Sequence, residues 1–341
     1  MTPKRSVIPI FVPHLGCPNM CVFCNQNRIS GEARPATPDD VVSTVSEALE
    51  KLPEDSEKSI AFYGGSFTAI PAEEQEALLG AAVPFLESSQ VTSLRLSTRP
   101  DAIDGEVIER LRRYSVRTVE LGVQSMCDDV LAASRRGHTA SDAERAARML
   151  KDAGFELILQ MMTGLPLDTP EKSVYTAKKF IELMPDGVRI YPTVIIKDTD
   201  LCDMWREGSY TEHTVEEAVE LCATLAELFD GAGIPIIRLG LNPTDDLSGG
   251  DAVGGAYHPA LGELVAGRRY LKKELALTGE SDRGKTVTFG VARGHVSKAV
   301  GQKRINAAAI KEKFGVAGVR FVECDIEPGE VIRLQIDSEK E

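Results

Sequence analysis

Thr118-Val-Glu-Leu-Gly-Val-Gln-Ser125 and, further along, Leu157-Ile-Leu-Gln-Met-Met162 are the runs from which the fold of this chain can be read. Both are rich in apolar and β-branched residues and too short to be helices, so they predict strands over Thr118–Val123 and Leu157–Met162. Between them Asp142–Ala153 spaces its apolar residues by three and four, the period of a helix with one buried face. Ser141 stands before that stretch and suits a helix cap. Strand, amphipathic helix, strand is a β-α-β unit, whose two strands run parallel.

The same alternation extends in both directions. Strands are predicted over Val7–Val12, Ser59–Tyr63, Ser93–Ser97, Val188–Pro192 and Pro235–Leu239. Helices are predicted over Asp39–Leu52, Ala72–Phe85, Ile103–Arg113, Glu171–Leu183 and Val215–Phe229. Repetition of this unit implies an α/β fold, a partial or complete TIM-type (β/α) barrel over residues 1–241. An open doubly wound sheet is the alternative. The Gly-, Asp- and Ser-rich stretch 242–257 reads as a linker. Residues 258–341 read as a small α+β domain in the order helix, strand, helix, basic turn, helix, strand, strand.

The chain has 341 residues, 43% of them hydrophobic and 27% charged, as in ordinary globular proteins. No apolar run is long enough to span a bilayer, and the first residues lack the pattern of a signal peptide, so a cytoplasmic protein without a membrane partner is expected. Net charge is −13, unevenly spread: residues 1–250 carry −15 and residues 251–341 carry +2. Only the C-terminal part has the balance of a polyanion binder. Seven cysteines, an odd number, do not suggest a disulfide framework.

Three of the seven stand together: Cys17-Pro-Asn-Met-Cys21-Val-Phe-Cys24. Thiolates spaced C-x3-C-x2-C on one loop can hold three corners of a [4Fe-4S] cubane and leave the fourth iron without a protein ligand. An iron left open in this way can chelate S-adenosylmethionine (SAM), whose reductive cleavage yields a 5′-deoxyadenosyl radical. The competing reading is structural zinc, with His14 as fourth ligand, in a nucleic-acid-binding protein without catalysis. In a barrel the chemistry sits at the C-terminal ends of the strands. There the chain has Gly64, Gly65 and Ser66, where glycine lets a ligand approach the backbone closely. Gln124, Gln160 and Arg136 add polar groups that a ribose or a carboxylate would satisfy. No residue of the sequence stands out as a catalytic acid or base.

Taken in order, these motifs resemble the radical SAM superfamily, and within it the radical SAM domain of the Elongator catalytic subunit. The resemblance runs through Tyr63-Gly-Gly-Ser-Phe-Thr68, Thr98-Arg-Pro-Asp101, Glu120-Leu-Gly-Val-Gln-Ser125, Arg136-Gly-His-Thr139 and Gly187-Val-Arg-Ile-Tyr-Pro-Thr193. It continues into Leu201, Trp205 and Gly208-Ser-Tyr210. Anaerobic coproporphyrinogen dehydrogenase is similar more loosely. The resemblance implies a SAM site built from Tyr63, Gly64, Gly65, Ser66, Ser97, Arg99, Gln124, Arg136 and Gln160. It also implies an electron donor such as flavodoxin or ferredoxin, and modification of a tRNA-like RNA; a tetrapyrrole or other metabolite is the alternative substrate. The cysteine spacing is tighter than in that subunit, and residues 242–341 do not resemble its acetyltransferase domain.

In the C-terminal part, Val300-Gly-Gln-Lys-Arg-Ile305 lies between two predicted helices flanked by strands. That order resembles the core of a KH domain, whose Gly-x-x-Gly turn clamps single-stranded nucleic acid. Gly301 matches the first glycine and Arg304 replaces the second. Arg293, Lys298, Gly301, Lys303 and Arg304 are the candidate RNA contacts, set against the plainer alternative of a solvated basic turn.

Overall fold

The computed structural model describes residues 5–12, 17, 21–25, 34, 36–53, 55–243 and 247–334. His14, the zinc reading's fourth ligand, lies outside them. The chain divides into two compact units, residues 1–214 with 228–257, and residues 215–227 with 258–341.

The first unit is built on seven parallel strands: β1 (Arg5–Phe11), β2 (Glu57–Tyr63), β3 (Ser93–Thr98), β4 (Val116–Gln124), β5 (Glu156–Thr163), β6 (Gly187–Pro192) and β8 (Ile236–Leu239). Their order in space is their order in sequence, β1-β2-β3-β4-β5-β6-β8. β1 and β8 remain edges, so the sheet is a partial barrel rather than a closed one. Helices α1 (Pro38–Lys51), α2 (Ala72–Glu87), α3 (Gly105–Arg113), α4 (Asp128–Ala133), α5 (Ala140–Asp152) and α6 (Pro170–Leu183) connect successive strands. α1 and α5 open with capping boxes in which Thr37 pairs with Asp40 and Thr139 with Asp142, so each first turn satisfies its own free N–H groups. α5 begins two residues earlier than its sequence suggests, because Thr139 rather than Ser141 caps it. Ala143, Ala146, Ala147 and Leu150 form its buried stripe. In β4 every residue from Thr118 to Gln124 is buried, as expected of a central strand covered on both faces.

Two short strands complete this unit. β7 (Val194–Ile196) pairs antiparallel with β9 (Ala252–Gly255). The Gly-rich segment read as a linker therefore contributes a strand, and Ala256 N–H donates to Thr193 O at 2.9 Å. Helix α7 (Asp200–Arg206) follows β7. Helix α8 (Val215–Gly231) starts in the second unit and ends in the first.

The second unit holds a three-stranded sheet with β10 (Thr286–Ala292) in the centre, parallel to β11 (Gly318–Cys324) and antiparallel to β12 (Val331–Leu334). Helices α9 (Leu261–Ala276), α10 (Val296–Val300) and α11 (Ile305–Phe314) belong to it. Its core is Val287, Phe289, Ile310, Phe314 and Val319. No helix among the described residues is long and apolar enough to cross a membrane.

Candidate functional site

The loop that carries the cysteines is anchored by what lies between them. Val22 is buried against Ile195, Leu201, Cys202 and Tyr210. Its carbonyl accepts from Leu201 N–H at 2.8 Å. The stretch from Leu201 to Tyr210 thus braces the loop that presents Cys21 and Cys24. Burial first, and then the neighbouring thiols, raise the pKa values of Cys17 and Cys24, that of Cys24 to about 12. Three thiolates held so close need a positive partner. Arg136 supplies part of it: Nη1 lies 3.3 Å from Cys21 Sγ, while Nη2 donates to Gly122 O at 2.6 Å.

Among the described residues no three Cys, His, Asp or Glu side chains converge as ligands of a single ion. Three cysteines on one loop, spaced C-x3-C-x2-C, are a donor set that fits three corners of a cubane and leaves its fourth iron open.

Around the thiols the strand ends carry unsatisfied polar atoms. Gln124 ends β4 with φ 69°, a left-handed conformation that turns the chain sharply. Gln124 Oε1, Arg136 Nε and His138 Nδ1 are all buried without a hydrogen-bond partner. His138 Nε2 faces Val123 O at 3.1 Å. Burial and then the Arg136 charge push its pKa down to about 4, so it is neutral and Nδ1 is a free acceptor. Leaving such atoms unpaired is costly. Together they offer two acceptors and a donor, which suits a ligand carrying ammonium, carboxylate and hydroxyl groups. Gly64 and Gly65 have φ 80° and 51°, a bend that side chains resist. Ser97 is half-buried on β3, on the face it shares with Arg95.

The other proposed SAM contacts are engaged within the protein. Ser66 Oγ lies 2.9 Å from Thr98 Oγ1 and accepts from Arg99 N–H at 3.2 Å. Arg99 makes a forked pair with Asp101 at 2.9 and 2.7 Å. Tyr63 OH donates to Glu120 Oε1 at 2.8 Å, and Gln160 Nε2 donates to Glu120 Oε2 at 3.3 Å.

Glu120 is the residue that sequence reasoning missed. It is fully buried. Arg95 Nε meets its Oε1 at 3.0 Å, and Arg189 Nε lies 2.7 Å from its Oε2. Burial opposes the Arg189 charge, but Glu120 and the neighbouring tyrosines outweigh it and raise the pKa. Burial, and then Glu120, raise that of Tyr63. A signal was present in the sequence: a lone carboxylate in the apolar run Val-Glu-Leu-Gly-Val must find partners once buried.

In the second unit Gly301, Lys303 and Arg304 share the turn between α10 and α11, Lys298 lies on α10, and Arg293 follows the end of β10. Arg293, Lys303 and Arg304 are exposed. None of them, nor Lys298, has a carboxylate partner among the described residues. Gly301 has φ 72°, and a Cβ there would lie 2.7 Å from Asn306 Oδ1. Arg304, in place of the second glycine, takes the left-handed φ of 63° that glycine would favour. Buried Asn306 pins the turn, donating to Gly267 O and Ala299 O at 2.8 Å each.

A family model described as the radical SAM superfamily matches residues 11–180, and one described as the radical SAM C-terminal domain matches residues 185–273. The tRNA uridine(34) acetyltransferase of Methanocaldococcus jannaschii is 32% identical over 196 residues, 51% of this chain and 36% of its own. Elongator complex protein 3 of Homo sapiens is 31% identical over 185 residues, 48% of this chain and 34% of its own. The chain thus spans about a third of the length of these curated relatives. Among solved structures, the archaeal Methanocaldococcus infernus Elp3 with an N-terminal deletion aligns with a TM-score of 0.61 and 26% identity, covering 84% of this chain and 67% of that one. Escherichia coli coproporphyrinogen III oxidase (HemN) aligns with a TM-score of 0.51 and 16% identity, covering 68% of this chain and 54% of that one, a likeness of fold.

Proposed function

Because the chain belongs to the radical SAM superfamily, we propose that it cleaves SAM reductively at a [4Fe-4S] cluster held by Cys17, Cys21 and Cys24, and that its substrate is an RNA of the tRNA class. The observation that carries the first part is three thiols on one braced loop, with Arg136 on Cys21 and orphaned Gln124, Arg136 and His138 atoms nearby. A bound cluster supplies the electron that splits the sulfonium of SAM into methionine and a 5′-deoxyadenosyl radical. The chain's own residues position that ligand. Arg136 Nε and Ser97 Oγ donate to it, Gln124 Oε1 and His138 Nδ1 accept from it, and the Gly64–Gly65 bend lets its backbone N–H groups come close. A small reduced carrier of the flavodoxin or ferredoxin class would deliver the electron.

The RNA assignment is supported by the relatives, one of which is named for tRNA uridine 34, and by the unpaired cations at the Gly301 turn. Arg293, Lys298, Lys303 and Arg304 would contact phosphates there.

Replacing Cys21 by Ala tests the central claim. Anaerobically prepared Cys21→Ala protein should lose most of its iron and all 5′-deoxyadenosine formation. Full SAM cleavage by that variant would overturn the assignment, and zinc in place of iron in the unmutated protein would favour the structural reading. For the RNA, Lys303→Glu with Arg304→Glu should weaken single-stranded RNA binding and flatten its salt dependence. Filter binding at two salt concentrations measures both; equal affinity in variant and parent would leave the turn without a role in docking.

A further inference from the structure

Side chains alternate along a strand, so residues two apart share a face. Arg95 on β3, Glu120 on β4, Gln160 on β5 and Arg189 on β6 meet one another, and Tyr63 on β2 joins them. They therefore share one face of the sheet, the inner face of the partial barrel. Glu120 lies two residues before Gly122, whose carbonyl holds Arg136. The cluster thus sits one layer below the strand-end mouth.

Its charges do not balance. Arg95 and Arg189 have one carboxylate partner between them among the described residues, Glu120. Arg238, beside Arg189 in register, gives its Nε to Gly240 O and has no carboxylate partner among those residues. A buried carboxylate needs one guanidinium. A second, in a place poor in water, is costly unless an anion joins it. Both guanidinium side chains are 16% exposed, against 1% for Glu120. The carboxylate is sealed, then, while edges of the cations stay open to the inner face. Glu120 and Tyr63 fix their orientation: Arg189 Nη2 donates to Glu120 Oε1 at 3.1 Å and to Tyr63 OH at 3.2 Å. Preset forks of this kind suit carboxylate or phosphate.

We propose that Arg95 and Arg189, oriented by Glu120 and Tyr63, bind an anionic group of the molecule on which the radical acts. Naming that molecule as the radical's target rests on the function proposed above; the anion site itself does not. The group is a carboxylate or phosphate oxyanion, carried either by an acyl compound or by a nucleotide.

The test uses the anaerobically purified full chain without SAM or reductant, with propionate and methyl phosphate as probes and ligand-observed NMR as readout. Arg189→Gln should weaken binding of the preferred probe about tenfold, the effect of losing a charge-assisted hydrogen bond. Glu120→Gln keeps both guanidiniums and removes the competing charge, so it should bind the same probe more tightly than the parent. Opposite responses of the two variants cannot come from misfolding. Equal affinity in all three proteins, or loss in both variants, would overturn the proposal. A preference for propionate points to an acyl compound, and one for methyl phosphate to a nucleotide. Formation of 5′-deoxyadenosine by the unmutated protein is measured separately, so failure of the radical SAM reading shows itself there and not in the titrations.

Discussion

Glu120 and Glu274 are both completely buried, one in each unit of the chain, and the two units deal with that burden in opposite ways. In the partial barrel, Glu120 accepts from Tyr63, Arg95, Gln160 and Arg189. In the small unit, Glu274 lies on the buried face of α9 after Tyr270, and neither of its oxygens has a partner. Burial alone raises its pKa, to about 8. One site offsets desolvation with partners, the other by keeping the proton. The difference teaches where to look for function. A charge kept ionised inside a protein needs an assembled surround, and that surround lies on the face where a substrate would enter. A carboxyl that keeps its proton at pH 7 needs no counter-charge around it.

The largest expected effect comes from breaking the paired site. Glu120→Ala leaves Arg95 and Arg189 facing each other without a counter-charge in a half-buried place. The expected loss of stability is about 3–5 kcal/mol, the range for removing one partner of a buried pair. Denaturant unfolding measures it, with Arg95→Met and Glu120→Met combined as the control. That double variant removes both charges of one pair and should recover part of the loss. A Glu120→Ala protein as stable as the parent would mean that the guanidiniums are already solvated and the face is open water.

The unpaired site should respond to pH instead. A folded pKa of about 8 for Glu274, against an ordinary 4.5, means that the folded chain keeps a proton that the unfolded chain has shed. Stability from this group is therefore full below pH 4.5 and falls as pH rises toward 8. The slope is at most about 1.4 kcal/mol per pH unit. Glu274→Gln cannot ionise, so between pH 5 and pH 8 its unfolding free energy should lose that slope and overtake the parent at the alkaline end. Melts of both proteins across the range decide it. Parallel curves would show that Glu274 finds a partner or water.

The two carboxylates also mark how far the sequence can be read. The β-α-β succession was legible because strands such as Thr118–Val123 and helices such as Asp142–Ala153 have their own periods. The cysteine loop was legible because its ligands are close in sequence. Glu120 was not, since its partners come from four other strands and only the parallel register brings Tyr63, Arg95, Gln160 and Arg189 to it. Tyr63 and Gln160 read as ligand contacts, and nothing local reveals that they also face a carboxylate. β9 escaped because Ala252–Gly255 has no strand composition, and its pairing with β7 is a long-range contact. Glu274 escaped in the other direction, because a glutamate in an amphipathic helix reads as a solvated residue.

A third carboxylate, on the surface, calibrates the other two and carries the smallest effect. Glu220 on α8 meets Arg268 at 2.7 Å and Lys272 at 2.6 Å, and Arg268 also pairs with Glu216. It therefore has more cations than a single pair requires, like Glu120, but its side chain is 48% exposed. Slight burial opposes its charge, while the hydrogen bonds from Lys272 and Arg268 outweigh that and hold its pKa below the ordinary 4.5. Its contribution is accordingly present above pH 4.5 and lost as pH falls through the depressed folded value. Water screens such a pair, and exposed pairs contribute only about 0.2–1 kcal/mol. Glu220→Gln should thus cost less than about 1 kcal/mol at pH 7, and raising the salt to about 1 M, where the Debye length is near 3 Å, should erase most of it. At pH values well below the depressed folded pKa, parent and variant should unfold together. A cost comparable with that of Glu120→Ala, or one that survives high salt, would mean that the number of partners and not their burial sets the value of a carboxylate in this protein, and the contrast between its two units would then need another cause.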